Sequence, residues 1–185
     1  MATYKKFLIK QQTYNGVSYT DVGDVVDTQS TFGVVCQECP FKILPESKEL
    51  PTGQWYDEDG EDVFIPLNGL RFESYDMEAK FLYAGNKSNI ASDLKSFIDF
   101  IYGRVNIVNG QKVAINPTKN VVLAVYDEYT EVGRRGVYVK SVDDDIFLYD
   151  DSDTEAVGIF KVKFRVTDPV TDVTLTVAGG GSSSS

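Results

Sequence analysis

The sequence contains no histidine and only two cysteines among its 185 residues. The absence of histidine excludes Ser-His and Cys-His nucleophilic sites, His-ligated zinc and the usual imidazole acid–base chemistry. Most common hydrolase designs depend on one of these groups. We therefore predict that the protein is not an enzyme and that it uses no catalytic residue, cofactor or metal ion.

Long hydrophobic runs are also absent. No apolar stretch approaches the roughly 20 residues that a membrane-spanning helix needs. The start of the chain, residues 1–10, alternates charged and apolar residues too early for a signal peptide. We expect the protein to be made in the cytoplasm and to have no membrane partner.

Basic residues are few, with 18 Lys and Arg against 28 Asp and Glu, which gives a net charge of −10. Sequence-independent DNA binding requires a basic surface, and this chain cannot supply one overall. The hydrophobic and charged fractions, 42% and 25%, are those of an ordinary globular protein. We predict one domain at residues 1–177, followed by a flexible Gly/Ser tail at residues 178–185.

Several segments alternate polar and apolar residues with the period of two that is typical of half-buried strands. The pairs Asn15-Gly16 and Asn109-Gly110 are strong hairpin-turn signals. A change of phase between Phe72 and Met77 predicts a bend or bulge near residues 74–75. The predicted strands are residues 4–9, 31–36, 63–65, 71–83, 120–127, 136–141, 145–149 and 156–166.

One segment, residues 88–102, has helical periodicity instead. Its apolar side chains recur at spacings of three and four and would line one side of a helix, and Gly103 would end it. The apolar positions are Ile90, Leu94, Phe97, Ile98 and Ile101. The sequence therefore predicts a mainly β (α+β) fold, a β-sandwich or partial barrel with one flanking α-helix.

Two segments are predicted to leave the core, residues 45–66 and residues 103–118. The 45–66 excursion, a long loop or hairpin-like arm, carries the aromatic pair Trp55 and Tyr56 and the acidic run 57–62. A calcium loop with Gly60 at its sixth position would place Trp55 and Pro66 at the two decisive ligand positions, so we interpret the run as a solvated acidic turn.

The acidic groups at residues 143–145 and 150–153 surround a predicted strand. Such carboxylates could hold a cation or act as the acid and base of a glycoside hydrolase, which requires them to face each other across a cleft. Asp-rich turns also commonly connect strands, and this is the interpretation we favour.

Two short motifs admit a chemical and a structural interpretation. Cys36 and Cys39 form a CxxC pair, which suits redox exchange or half of a zinc site. Because Pro40 follows and a β-branched run precedes, we favour two small residues that pack beside a strand. Arg134 and Arg135 lie between two glycines and could bind a phosphate. We favour a hairpin turn whose arginines meet acidic groups of a neighbouring subunit.

The order of the pieces resembles that of phage tail proteins of the distal tail type, a fold shared with tail tube subunits, and especially tail proteins from prophages of Bacteroides-type gut bacteria. The residues that carry the resemblance are Ser30-Thr31-Phe32-Gly33-Val34-Val35, Glu46-Ser47-Lys48-Glu49-Leu50-Pro51, Tyr83-Ala84-Gly85, the helix at 91–100, Val125-Tyr126-Asp127 and the segment 161–173.

This resemblance implies a structural subunit of the virion tail that forms a hexameric ring around the DNA channel and contacts other tail proteins. The family's second domain has no room here, so both a distal ring and a tube subunit stay open. An acidic chain suits DNA that passes without binding. The expected interface residues are Trp55, Tyr56, Phe64, Arg134 and Arg135. The alternative is a monomeric carbohydrate-binding β-sandwich.

Overall fold

The protein is described by a computed structural model that covers residues 5–57, 59–115, 121–143, 147–150 and 155–177. The fold is mainly β, as predicted. Its strands are β1 Phe7–Tyr14, β2 Tyr19–Asp27, β3 Val34–Glu38, β4 Thr52–Gly53, β5 Asp62–Val63, β6 Tyr75–Asn86, β7 Val105–Val108, β8 Gln111–Ala114, β9 Val121–Asp127, β10 Val132–Val142, β11 Phe147–Asp150 and β12 Glu155–Val166. Its helices are α1 Thr28–Phe32 and α2 Ile90–Ile101.

The main sheet has eight antiparallel strands in the order β2-β1-β9-β10-β12-β6-β3, with β11 also paired to β12. The rings of Phe7 on β1 and Phe81 on β6 are 5.6 Å apart, although three strands separate β1 from β6 in the sheet. Side chains stand roughly perpendicular to a sheet, so this contact requires the sheet to curl until the two strands face each other. Helix α1 connects the two edge strands, β2 and β3. The result is a partial barrel.

The barrel interior is filled by aromatic side chains that alternate along the strands. On β6 and β12, every second residue from Tyr75 and from Phe160 is buried, and the intervening residues face outward. Phe81 contacts four other phenylalanine rings at centroid distances of 5.4 to 6.4 Å. The strict alternation therefore predicted the buried face of these strands correctly.

Helix α2 covers this interior. It occupies most of the predicted span, and Leu94, Phe97, Phe100 and Ile101 are its buried residues. Ile98, which the periodicity placed on the buried stripe, is half-buried instead. Gly103 follows the helix with φ +72, and a Cβ there would lie 2.7 Å from the Cβ of Val121, so glycine is required.

Both Asn-Gly pairs form hairpins. Asn15-Gly16 joins β1 to β2, and Asn109-Gly110, with φ values of 51 and 73, joins β7 to β8. The predicted strand at residues 4–9 is too short, because β1 continues to Tyr14. Strand β2 was not predicted. It is an edge strand in which most residues are exposed or half-buried, and Gly23 lies in its middle. Its sequence therefore does not alternate between polar and apolar residues.

The predicted strand at residues 31–36 is wrong in its first half. Residues 28–32 form α1, whose start is capped by the Asp27 carboxylate, which accepts a hydrogen bond from the Gln29 N–H at 3.1 Å. Gly33 then takes φ +68 and ends the helix. Phe32 packs against Phe97 and Phe100 of α2, so tertiary contacts fix this short helix.

Two local predictions near β6 and β10 need correction. Phe72 forms an isolated bridge with Ser47, so the phase change marks the start of β6 at Tyr75 and not a bulge within a strand. Gly133 to Gly136 is not a hairpin turn. It lies inside β10, where the register against β9 shifts between Arg134 and Val137 and Gly136 takes φ +64, which is a β-bulge.

The remaining predictions fall partly or wholly on residues that are not described. The predicted Gly/Ser tail, residues 178–185, lies outside the described residues. The same holds for residues 144–146 and 151–154 of the two acidic groups and for residues 116–120 of the second excursion. Strand β11 at Phe147–Asp150 overlaps the predicted strand 145–149. Neither described helix is long and apolar enough to cross a membrane.

Candidate functional site

The segment between β3 and β6 forms a projecting hairpin, which we call the arm (residues 43–73). Its two legs pair near the base, where the Lys48 N–H donates to the Arg71 carbonyl and the Glu73 N–H to the Glu46 carbonyl, each at 2.7 Å. They pair again where β4 meets β5. The arm is therefore longer than the predicted 45–66 excursion, and its backbone pairs mainly with itself.

The side chains of the arm are not buried by this pairing. Trp55 is 66% exposed, Phe64 67% and Tyr56 fully exposed. Further large apolar residues of the arm share this exposure: Ile43, Leu44, Val63, Ile65, Leu67 and Leu70. So dense a group of exposed apolar residues is characteristic of a surface that meets a partner.

The sequence predicted the exposure of Trp55, Tyr56 and Phe64, and the structure confirms it. The aliphatic members were missed. Their signal was a set of apolar residues interrupted by Pro45, Pro51 and Pro66, in which only residues 63–65 were predicted to form a strand. Apart from that short strand, the segment has no period that would place its apolar side chains on one buried face.

The tip of the arm is acidic. Asp57, Asp59, Glu61 and Asp62 are all exposed, and none of them forms an ion pair among the described residues. Asp57 follows Tyr56, and Asp62 precedes Val63. The arm thus presents carboxylates directly beside apolar side chains.

Arg134 fixes the root of the arm to the barrel. Its side chain is buried, with 3% exposure. The guanidinium donates hydrogen bonds to the Lys42 carbonyl at 3.3 Å and to the carbonyl of the adjacent Gly133 at 2.9 Å, and it forms an ion pair with the Asp172 carboxylate. The Lys42 N–H donates to the Tyr75 hydroxyl at 3.2 Å. Both backbone groups of Lys42 are therefore bound by the barrel, which fixes the position at which the arm begins.

Arg135 is also used within the chain. Its Nε donates to Asp168 Oδ2 at 2.7 Å, and its guanidinium lies 5.0 Å from the ring centroid of Tyr19 on β2. Burial acts to raise the pKa of Asp168, but the hydrogen bonds from Arg135 and Thr171 outweigh it and lower that pKa. Within the chain, the acidic partners of Arg134 and Arg135 are Asp172 and Asp168, so neither arginine depends on a neighbouring subunit for a charge partner.

Cys36 and Cys39 line an open cavity of about 340 Å³ together with Lys5, Phe7, Val35 and Asp127. The Sγ of Cys39 is 3.7 Å from the Sδ of Met77. Burial, with Cys36 nearby, raises the pKa of the Cys39 thiol. A thiol that resists ionisation is a poor nucleophile and a poor metal ligand, so this geometry favours the packing interpretation.

The described residues contain no group of three Cys, Asp or Glu side chains that could hold a metal ion. Neither a family model nor a curated protein matches the chain. The arm, with its exposed apolar residues and acidic tip, is the feature of the molecule that calls for a functional explanation.

Proposed function

We propose that the protein is a structural, non-enzymatic subunit of a phage tail that assembles into a hexameric ring around the DNA channel. The assignment to a phage tail and the number of six subunits both come from the sequence resemblance. The resemblance implies a β-sandwich with a flanking helix, and the mainly β fold covered by helix α2 supports the proposal at the level of fold class.

The observation that carries the proposal is the exposure of large apolar side chains on an arm whose backbone pairs mainly with itself. Full burial of one such side chain is worth about 1.5–3 kcal/mol. A two-stranded hairpin has no second layer in which to bury them. A neighbouring subunit would supply that layer, and ring formation would use the arm of every copy.

The net charge of −10 supports the proposed channel. Phosphates bind proteins that offer cations, because each contact releases counterions from the DNA. An acidic ring would let DNA pass without retaining it. The distal tail ring and the tail tube subunit both fit these features.

Light scattering at rising protein concentration tests the proposal. We expect a species with six times the mass of the chain, and rings with a central opening in negative-stain electron micrographs. A chain that stays monomeric at all concentrations would contradict it.

The double variant Trp55→Ser, Phe64→Ser should remain monomeric, because it removes two large apolar contacts of the arm. Tyr129→Ser is the matched control, since Tyr129 is an aromatic residue with 79% exposure that lies outside the arm. Equal loss of assembly in the control would show that the arm has no special role.

The alternative, a monomeric carbohydrate-binding protein, is favoured by Trp55 and Tyr56, since aromatic rings stack on sugars. The exposed aliphatic residues Leu44, Ile65 and Leu67 do not fit it, because they suit contact with a protein surface. Binding of a glycan panel by the monomer, abolished by Trp55→Ser, would support the alternative.

A further inference from the structure

The outer face of strands β6, β10 and β12 carries a strip of cations. Lys161 and Lys163 of β12 lie 2.8 and 3.8 Å from the carboxylate of Glu78. Arg165 and Lys140 lie 2.9 and 2.7 Å from the carboxylate of Asp76. Each carboxylate is thus shared between two cations, which lowers the pKa of both Asp76 and Glu78.

Cations outnumber carboxylates in this strip. Lys80 is directly opposite Lys161 in the register of β6 and β12, and opposite Glu38 in the register of β3 and β6. Glu38 and Asp143 also act on Lys161 electrostatically. Among the described residues, the strip thus sets five cations against four carboxylates, which is a small excess of positive charge on a strongly acidic chain. The cations are Lys80, Lys140, Lys161, Lys163 and Arg165.

An apolar strip continues the same face along the same strands. Ile159 is directly opposite Leu82, and Val35 of β3 is opposite Leu82 on its other side. These three side chains are half-buried and point outward between the buried positions of their strands. Beyond the cations, the face therefore becomes apolar within two residues along β12.

The arm carries acidic and apolar side chains in an order that matches the cationic and apolar strips of this face. Acidic side chains at its tip lie next to Trp55 and Tyr56 on one leg and next to Phe64 and Ile65 on the other. We propose that the arm of one copy docks on the outer face of β6 and β12 of a second copy, with its carboxylates on Lys161 and Lys163 and its apolar side chains on Ile159 and Leu82. The inference rests on the proposed function, because it names the acceptor surface of the same assembly.

This contact is heterologous, since the arm and the sheet face are different surfaces. Each copy would offer one arm and one acceptor face, so head-to-tail repetition of the contact builds a ring when the rotation closes. A two-fold dimer with reciprocally exchanged arms would use the same two surfaces, and the mass of the assembled species distinguishes it from a ring.

A charge-swap experiment tests the docking. The face variant Lys161→Glu, Lys163→Glu and the arm variant Asp57→Lys, Asp59→Lys, Asp62→Lys should each weaken assembly by on the order of 100-fold or more, because like charges then meet at the contact. Mixed in equal amounts, the two variants should assemble into alternating rings, because reversed arms meet reversed faces and normal arms meet normal faces.

The matched control is Lys5→Glu, Lys95→Glu, which changes the net charge equally at exposed lysines that lie outside the strip. It should assemble like the unaltered protein. The mass of each species is measured by light scattering, and circular dichroism checks that each variant is folded. If the face variant does not fold, Lys161→Gln, Lys163→Gln replaces it, and its assembly should still be weakened.

The outcomes separate the two proposals. Normal assembly of the face variant, together with loss of assembly in Trp55→Ser, Phe64→Ser, would overturn the acceptor surface and leave the proposed function standing. Equal weakening in the control, or failure of the mixture to assemble, would overturn the docking mode as well. An unaltered protein that stays monomeric would overturn the proposed function, and the docking with it.

Discussion

The barrel interior and the arm contain the same kinds of side chain in opposite environments. Phe81 in the interior is 0% exposed, whereas Trp55 and Phe64 on the arm are about two-thirds exposed. Interior aromatics occur at every second position of long strands, so one face of a curled sheet buries them all. On the arm, large apolar residues occur instead as consecutive neighbours, Trp55-Tyr56 on one leg and Val63-Phe64-Ile65 on the other. Regular spacing on a curled sheet therefore buries the aromatic side chains of the barrel, and the arm, which lacks that spacing, leaves its aromatic side chains exposed.

The largest expected difference between the two regions is in folding stability at the centre of the barrel. Phe81→Ala should lower the free energy of unfolding by about 3–5 kcal/mol, because it leaves a cavity among Phe7, Phe97, Phe160 and Phe164. Urea unfolding of the monomer measures it. A loss below about 1 kcal/mol would mean that the interior is not closely packed.

A smaller loss is expected where the two regions join. Arg134→Ala should cost about 2–3 kcal/mol, because the Lys42 and Gly133 carbonyls lose their donor and a buried side chain is removed. It should also speed proteolytic cleavage within the arm. Arg104→Ala is the control, since Arg104 pairs with Asp99 at the surface and should contribute about 0–1 kcal/mol. Equal effects would show that Arg134 does not hold the arm.

A pH effect is expected at the edge of the barrel. Burial, and then the carboxylate of Asp93 at 3.1 Å, raise the pKa of Tyr83 to about 12 from its ordinary value of 10. The folded state keeps this proton when the unfolded chain loses it. The stabilisation is therefore complete below pH 10 and is lost as the pH rises through about 12.

Denaturation curves of the protein and of Tyr83→Phe, compared at each pH, isolate this proton. The difference between their unfolding equilibria should be constant up to pH 10 and should then change by up to tenfold per pH unit. A constant difference up to pH 12 would mean that Tyr83 ionises normally.

The smallest stability effect is expected on the arm itself. The double variant Trp55→Ser, Phe64→Ser should change the free energy of unfolding of the monomer by less than about 0.5 kcal/mol, because neither side chain is buried. The difference between this small change and the large loss in Phe81→Ala, both in the free energy of unfolding, compares the arm with the barrel interior most sharply. A loss of several kcal/mol would show that the arm packs on its own barrel.

The elements that could be predicted from the sequence are those in which apolar residues recur with the period of a strand or a helix, because one face of the element is buried. Strands β6 and β12 and helix α2 are the main cases, since one face of each meets the interior. Helix α1 and strand β2 could not be predicted, because a five-residue helix depends on its Asp27 cap and on contacts of Phe32, and an edge strand lacks a buried face along most of its length.

The residues of the candidate site also divide into those that the sequence predicted and those that it did not. Trp55, Tyr56 and Phe64 were predicted on an exposed excursion because proline and acidic residues surround them. Arg134 was assigned to an exposed turn because two glycines flank it. The bulge that places it inside β10 depends on the pairing of β10 with β9, and its partner Asp172 follows the last strand. Neither contact leaves a local signal in the sequence.

The fluorescence of Trp55, the single tryptophan of the chain, tests the central claim most directly. As the protein concentration rises, the account predicts that its emission shifts to shorter wavelength and that quenching by iodide falls, in step with the increase in mass, because the arm becomes covered by a second copy. Emission and quenching typical of an exposed tryptophan at every concentration, or of a buried one already in the monomer, would contradict it.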